Sequence, residues 1–293
     1  MKVLVPDEEG VRALADVAGV EVVRYDPSLP FTEDMADAEV LVPGFLTKGR
    51  GLHDLPQLRL VQLLSAGAEA WVGQLPDGVA LSDCRGAHGG ATSEWVLAVL
   101  LAVYRHLPRF VDAQRGGTWD YHQTEELAGK RVLLVGAGDV AGETATRLDV
   151  FGATSTLIGR KRRDELPDLL PRHDAVVLAV PLTDETRGMC DRAFLAAMPD
   201  GAVLVNAARG PVVDTDALVA ELEAGRLRAA VDVTDPEPLP PDHPLWSAPG
   251  LLLTPHVGGS VPLGKQRAYR VAAEQIACWA REGTTPNLVV DGY

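Results

Sequence analysis

Cations are scarce in this chain. Its 27 lysines and arginines face 41 aspartates and glutamates, a formal net charge of −14. That balance speaks against non-specific nucleic-acid binding, which needs clustered cations to neutralise phosphates, although one local patch can still grip a small anion. Cysteine is scarce too. Cys84, Cys190 and Cys278 are odd in number and widely spaced, which points to reduced thiols rather than a disulfide framework or a metal cluster. No apolar run reaches the roughly 18–20 residues of a membrane span; "WVLAVLLAVY" (95–104) reads as a buried helix, so no membrane partner is expected. The start, "MKVLVPDEEG", has only a brief apolar stretch before acids and glycine. It does not read as a secretory signal, and a cytoplasmic protein is expected. There is no internal repeat and no low-complexity tract, and the proline-rich "DPEPLPPDHP" (235–244) reads as a loop between elements.

What is present is a repeated alternation. Short apolar runs occur at 2–6, 38–43, 58–64, 79–82, 131–136, 154–159, 174–180, 202–207, 228–233 and 251–255. They are continuous rather than alternating, as parallel strands buried on both faces are. Helical patterns lie between many of them. "DTDALVAELEAGRL" (214–227) opens on acids, spaces its apolar residues helically and has Gly225 near its stop. Such β–α alternation predicts an open, doubly wound α/β architecture. At 293 residues two domains fit. Long helices at 91–107 and 262–281 are the expected crossovers, giving an inserted domain at 92–265 and a second domain from 1–91 and 266–293. Substrate is expected between the domains, a usual place for ligands.

"RVLLVGAGDVAGETATRL" (131–148) places Gly136, Gly138 and Ala141 between a strand and a helix. The first glycine permits a tight turn, and the second lets a pyrophosphate approach amides at a helix start. The alanine keeps the third position small for helix–strand packing. In this βαβ setting the pattern predicts dinucleotide binding. The residue ending the next strand faces the adenosine ribose, where an acid favours NAD. Here Gly159 stands at that place, followed by Arg160 and Lys161. Loss of the carboxylate and gain of a guanidinium, whose fork matches phosphate oxygens, predict a preference for NADP(H), with an exposed loop and plain NAD(H) use as the competing reading. Arg162 and Arg163 are expected to be solvated.

Three more groups sit at or beyond expected strand ends: Arg209 in "LVNAARGPVVD", the acids Asp232, Asp235 and Glu237 in "AVDVTDPEPL", and His256 in "LLLTPHVGG". Taken singly, each is an ordinary surface or loop residue. Together they suit hydride transfer at a 2-hydroxy acid. A guanidinium holds the carboxylate, an imidazole moves a proton at the C2 oxygen, and a carboxylate behind the ring fixes it and favours its charged form. His243 in "DHPLW" is expected to shape its loop.

These motifs, with "GAGDVAG" (136–142), "AVPLTDETRG" (179–188) and "TPHVGG" (254–259), make the chain resemble the D-isomer-specific 2-hydroxyacid dehydrogenase family over essentially its whole length. The resemblance implies a Rossmann cofactor domain inserted into a flavodoxin-like substrate domain, and a homodimer formed through the cofactor domain. It implies that Arg209 binds the substrate carboxylate, that Glu237 orients and charges His256, and that His256 is the acid/base. "LLSAGAEAW" (63–71) is similar to the family's substrate loop, with the amides of Ala66 and Gly67 meeting the carboxylate. Thr92, Asp139, Val140, Val180, Ala207, Asp232 and Gly258 fall at cofactor-lining positions, and Glu94 at a structural one.

The departures are the missing acid of the second strand, which supports NADP(H), and the glycine pair in "RGAHGGATSEW", which has no functional account. No regulatory domain is expected beyond Tyr293, an expectation that weakens a serine-biosynthetic reading. The expected activity is reduction of a small 2-oxo acid such as glyoxylate or hydroxypyruvate. The alternatives are an NAD-dependent phosphite or phosphoglycerate dehydrogenase-like enzyme, and a dinucleotide-sensing binding protein. Pocket walls are expected from loops such as 43–53 and from the neighbouring subunit.

Overall fold

A computed structural model describes residues 1–44 and 51–290. Residues 45–50, within the loop expected to wall the pocket, lie outside the described residues. The chain divides into two compact units, Met1–His88 with Val261–Tyr293, and Gly89–Ser260. The expected boundaries at 92 and 265 are displaced toward the N-terminus, to the first residue of one helix and the turn before the other.

The first unit is a five-stranded parallel sheet. Strands β1 (Lys2–Val5), β2 (Glu21–Arg24), β3 (Val40–Leu41), β4 (Leu60–Gln62) and β5 (Ala80–Ser82) lie in the order β2-β1-β3-β4-β5, the flavodoxin-like arrangement. Alternate residues serve opposite faces. Val3, Val5, Val40 and Leu60 pack on Leu14 of helix α1 (Glu8–Leu14) and on Ala268, Ala272 and Ile276 of the C-terminal helix (Gly264–Glu282). Leu4, Leu41, Val61 and Leu81 meet Tyr25, Leu52 and Trp71 on the other face. Strand β2 has no counterpart among the sequence-predicted strands. Its "EVVR" carries a charge at each end and pairs only with β1, so it lacks the continuous apolar signature of a buried strand.

The second unit opens with helix α2 (Gly89–Tyr104), followed by α3 (Leu107–Arg115). The helix expected over 91–107 ends at Tyr104, and a second helix, not expected from the sequence, starts at Leu107 after His106, whose φ of 52° is left-handed. Then come β6 (Arg131–Val135), α4 (Asp139–Val150), β7 (Thr154–Ile158), the short α5 (Leu166–Leu169), β8 (Ala175–Leu178), α6 (Arg192–Ala197), β9 (Val203–Asn206), α7 (Thr215–Glu223), β10 (Arg228–Val231) and β11 (Leu251–Leu253). All six strands are parallel, in the order β11-β10-β9-β8-β6-β7. Leu133, Val135, Val176, Leu178 and Leu204 pack toward Phe194 of α6 and Leu218 of α7. Val132, Leu134, Val177 and Val205 pack toward Val96 and Leu100 of α2 and Leu148 of α4. Both faces are covered, as the unbroken apolar runs require.

The order reverses at β6: its successor β7 lies on one side and β8 on the other. Such a switch point leaves a crevice beyond the carboxyl ends of the strands, where open α/β sheets take ligands.

All three cysteines are thiols outside any disulfide among the described residues, and Cys84 and Cys190 are buried. Burial pushes the Cys190 thiol above its ordinary value, and the charges of Asp191 and Asp214 push the same way. Among the described residues, no helix is long and apolar enough to cross a membrane.

Candidate active site

The expected residues of the second unit gather along one edge of its sheet. Gly136 follows β6, Gly159 follows β7, Ala207 follows β9 and Asp232 follows β10 directly, while Val180 lies two residues beyond β8 and His256 three beyond β11. Each therefore sits at the carboxyl end of its strand.

At the switch point, Gly136 has a φ of 129°, and a Cβ there would come within 2.3 Å of the Ala179 carbonyl oxygen. Only glycine fits this left-handed turn against a neighbouring backbone. Gly138 caps α4 in extended conformation, and a Cβ there would meet no atom within 4 Å. The space before the first turn of α4 is thus open, and the first N–H groups of a helix lack helical acceptors. An open cradle facing a 12-residue helix start suits a pyrophosphate. These residues fit a dinucleotide, which Gly136, Gly138 and the amides around Asp139 and Val140 would hold.

Asp139, the first residue of α4, accepts the Gly89 N–H at Oδ2 (3.1 Å). A Cβ on Gly89 would lie 2.6 Å from that oxygen. Of the unexplained glycine pair, Gly89 is therefore a packing device that lets the start of α2 touch the start of α4, whereas a Cβ on Gly90 would meet only Arg147 Nη2 at 3.8 Å. Thr92 lies in the first turn of the same helix. Glu94 is exposed, with Arg147 Nη2 at 3.9 Å.

Beyond β7 the basic run is engaged rather than loose. Arg160 Nη2 donates to Glu185 Oε1 at 2.5 Å, and this bond holds the Glu185 carboxyl below its ordinary range. Arg163 Nη1 donates to the Glu185 carbonyl at 2.8 Å, and Arg162 pairs with Glu165 at 2.6 and 2.7 Å. Arg163, expected to be solvated, keeps 35% of its side chain exposed but is tied to the 183–187 loop, because the turn after β7 brings its guanidinium against that loop. Lys161 is exposed.

The tightest cluster surrounds Asp232, which is only 5% exposed. Its Oδ1 accepts the Thr254 hydroxyl at 2.6 Å and the Val257 N–H at 2.8 Å, and its Oδ2 accepts the Gly258 N–H at 2.7 Å. Its carbonyl accepts the His256 N–H at 2.7 Å. Trp95 of α2 adds an indole N–H bond to the Thr254 hydroxyl at 3.0 Å. Gly258 is wedged between Asp232 and the Trp95 ring, where a Cβ would stand 2.9 Å from Asp232 Oδ2. The turn so pinned holds His256 at a φ of 55°, a left-handed conformation rare for a side-chain-bearing residue. Strain of this kind persists only where surrounding bonds over-determine it. Trp95 and Thr254 were not among the sequence candidates; the signal available was their place in "ATSEW" and "TPHVGG", directly beside named residues.

His256 Nδ1 lies 2.6 Å from Glu237 Oε1, with both side chains roughly half exposed. An ionised carboxylate accepts only, so Nδ1 carries the proton in this pair and Nε2 is the ring's other face. Arg209 stands in the turn after β9. Its Nη1 donates to the Ala208 carbonyl at 2.7 Å, and its own carbonyl accepts from Asn206 Nδ2 at 3.1 Å. The next residue, Gly210, passes so close to the β10 loop that a Cβ would lie 1.9 Å from the Thr234 carbonyl oxygen. The Arg209 turn and the loop leading to Glu237 are therefore packed backbone to backbone. His243 Nδ1 accepts the Leu245 N–H at 3.2 Å and caps its turn. Ala66 and Gly67 belong to the other unit, after β4, where the Gly67 carbonyl accepts the Ser65 hydroxyl at 2.7 Å.

Residues 97–258 match the family described as "D-isomer specific 2-hydroxyacid dehydrogenase, NAD binding domain". The chain is 32% identical over 287 residues to a glyoxylate reductase of Thermofilum pendens, covering 90% of this chain and 81% of that one. It is 29% identical to a D-3-phosphoglycerate dehydrogenase of Methanocaldococcus jannaschii, covering 99% of this chain but only 59% of that longer protein. Among solved structures, a D-isomer specific 2-hydroxyacid dehydrogenase from Xanthobacter autotrophicus Py2 in complex with NADPH and MES aligns with a TM-score of 0.84 and 31% identity over the full length of both chains. The chain belongs to the D-isomer-specific 2-hydroxyacid dehydrogenase family, whose members are NAD(P)-dependent oxidoreductases.

Proposed function

We propose that the protein is an NADP(H)-preferring reductase of a small 2-oxo acid of the glyoxylate or hydroxypyruvate class, forming the D-2-hydroxy acid. The observation that carries this reading is the His256–Glu237 pair at 2.6 Å on a turn fixed by a buried carboxylate. The cofactor, when bound, supplies the hydride. His256 delivers the proton from Nε2 to the C2 oxygen, and Glu237 holds Nδ1–H so that the ring keeps its orientation and its charge is balanced. Arg209 clamps the substrate carboxylate and polarises the adjacent oxygen, since its planar fork matches a carboxylate. Asp232, Thr254 and Trp95 keep the His256 turn in place.

Gly159, Arg160 and Lys161 form the ribose side of the cofactor site and favour a 2′-phosphate over a bare hydroxyl. Thr92, Val180, Ala207, Asp232, His256 and Gly258 line the remainder. The NADPH bound by the Xanthobacter relative supports the same preference here. The units Met1–His88 with Val261–Tyr293, and Gly89–Ser260, are read as substrate and cofactor domains. The working form is a homodimer through the cofactor domain, supported by Trp119 and Tyr121, which are 94% and 86% exposed on that unit. Such large bare aromatics mark interaction surfaces. The three thiols fit a reducing, cytoplasmic setting.

The test is a panel of 2-oxo acids assayed with NADPH and NADH side by side, with phosphite and 3-phosphoglycerate as oxidation controls. Turnover of glyoxylate or hydroxypyruvate, faster with NADPH, is expected. Activity confined to phosphite or 3-phosphoglycerate, or none with any 2-oxo acid, would overturn the reading.

A further inference from the structure

The partner of Arg160 comes from an unexpected place. Glu185 lies on the loop that leaves β8, whereas Arg160 follows β7, and these two strands flank β6 in the sheet. The loop therefore reaches across the carboxyl end of β6, past the glycine turn, to the ribose side. There Glu185 Oε1 takes Arg160 Nη2 at 2.5 Å. Its carbonyl takes Arg163 Nη1 at 2.8 Å, and its Oε2 lies 3.7 Å from the same nitrogen. One acidic residue thus occupies both arginines of the run that face this loop.

A 2′-phosphate and a carboxylate both draw on the donors of Arg160, of which Glu185 takes Nη2. Arg160 is 67% exposed and Glu185 45%. An exposed pair of this kind contributes little, so a dianionic phosphate can displace it. The displaced carboxylate, which keeps the longer 3.7 Å contact with Arg163, then stands beside the incoming charge and opposes it. A ribose hydroxyl, being neutral, neither displaces Glu185 nor is repelled by it. We propose that Glu185 is a specificity-determining residue that competes with the cofactor's 2′-phosphate for Arg160 and so limits the preference for the phosphorylated dinucleotide. This rests on Arg160 being the 2′-phosphate contact.

Calorimetric titration of the full-length protein with adenosine 2′,5′-bisphosphate and with 5′-AMP tests it without any turnover. Glu185→Gln should tighten the bisphosphate by about three- to fivefold, the scale an exposed pair allows, and leave 5′-AMP within about 1.5-fold. In an Arg160→Ala background the gain should vanish, since the contested group is gone. Unchanged or weaker bisphosphate binding in Glu185→Gln overturns the proposal, as does a gain that persists without Arg160, which would be a general charge effect. If Arg160→Ala alone weakens both nucleotides equally, the reading of Arg160 itself fails. That outcome is separable from a failure confined to Glu185.

Discussion

The turn that carries His256 and the turn that carries Arg160 sit at the ends of strands in one sheet, yet they are built in opposite ways. The first is anchored on Asp232, almost fully buried, which binds three groups of residues 254–258 through its carboxylate and a fourth through its carbonyl. The second is held by ion pairs at the surface. Buried charge-assisted bonds are strong and costly to leave unmade, whereas exposed pairs are weak and screened by salt. On the proposed function, proton transfer needs a fixed ring, and a cofactor-sensing edge can tolerate exchange of partners. The two constructions match those two demands.

That contrast can be broken from either side. Asp232→Ala should have the largest effect. It leaves the buried Gly258 N–H and the part-buried Val257 N–H without their acceptor, a loss of about 2–4 kcal/mol that a urea titration would register as a lower midpoint. It should also lower kcat by at least about 10²-fold, since the imidazole moves. A wild-type midpoint would mean that the turn is held by something else. Glu237→Gln should come next, with kcat reduced about 10²-fold and dinucleotide affinity within twofold, read by steady-state kinetics and calorimetry. Equal loss of both would place Glu237 in cofactor binding instead.

Arg160→Ala belongs to the adjustable region and should weaken NADPH about tenfold while leaving NADH within about twofold. The difference should shrink in concentrated salt, unlike the effect of Asp232→Ala. Trp95→Phe should be the mildest. It removes one hydrogen bond to Thr254, costs about 1 kcal/mol and lowers kcat only a few-fold. An inert Trp95→Phe would confine the support of the turn to Asp232.

Most of this architecture was legible because its strands are buried on both faces and read as unbroken apolar runs. The exception, Glu21–Arg24, is an edge strand with charged ends, for which hydrophobicity carries no signal. Helix α3 was missed for another reason: Pro108 in its first turn reads equally as the stop of the preceding helix, and the left-handed φ of His106 that separates the two leaves no sequence pattern. In the site, Glu237 and His256 could be singled out because proton-transfer chemistry needs both types at strand ends. Contacts set by tertiary approach could not be read in this way. Gly89 against Asp139, Trp95 on Thr254 and Glu185 on Arg160 join residues 50, 159 and 25 positions apart. No local pattern encodes them.

The most direct test is single-turnover reduction of glyoxylate by NADPH in His256→Ala, with dinucleotide affinity measured on the same preparation. A fall in rate of about 10²–10⁴-fold with NADPH affinity preserved is the predicted result. A wild-type rate in that variant would contradict the assignment of proton transfer to His256.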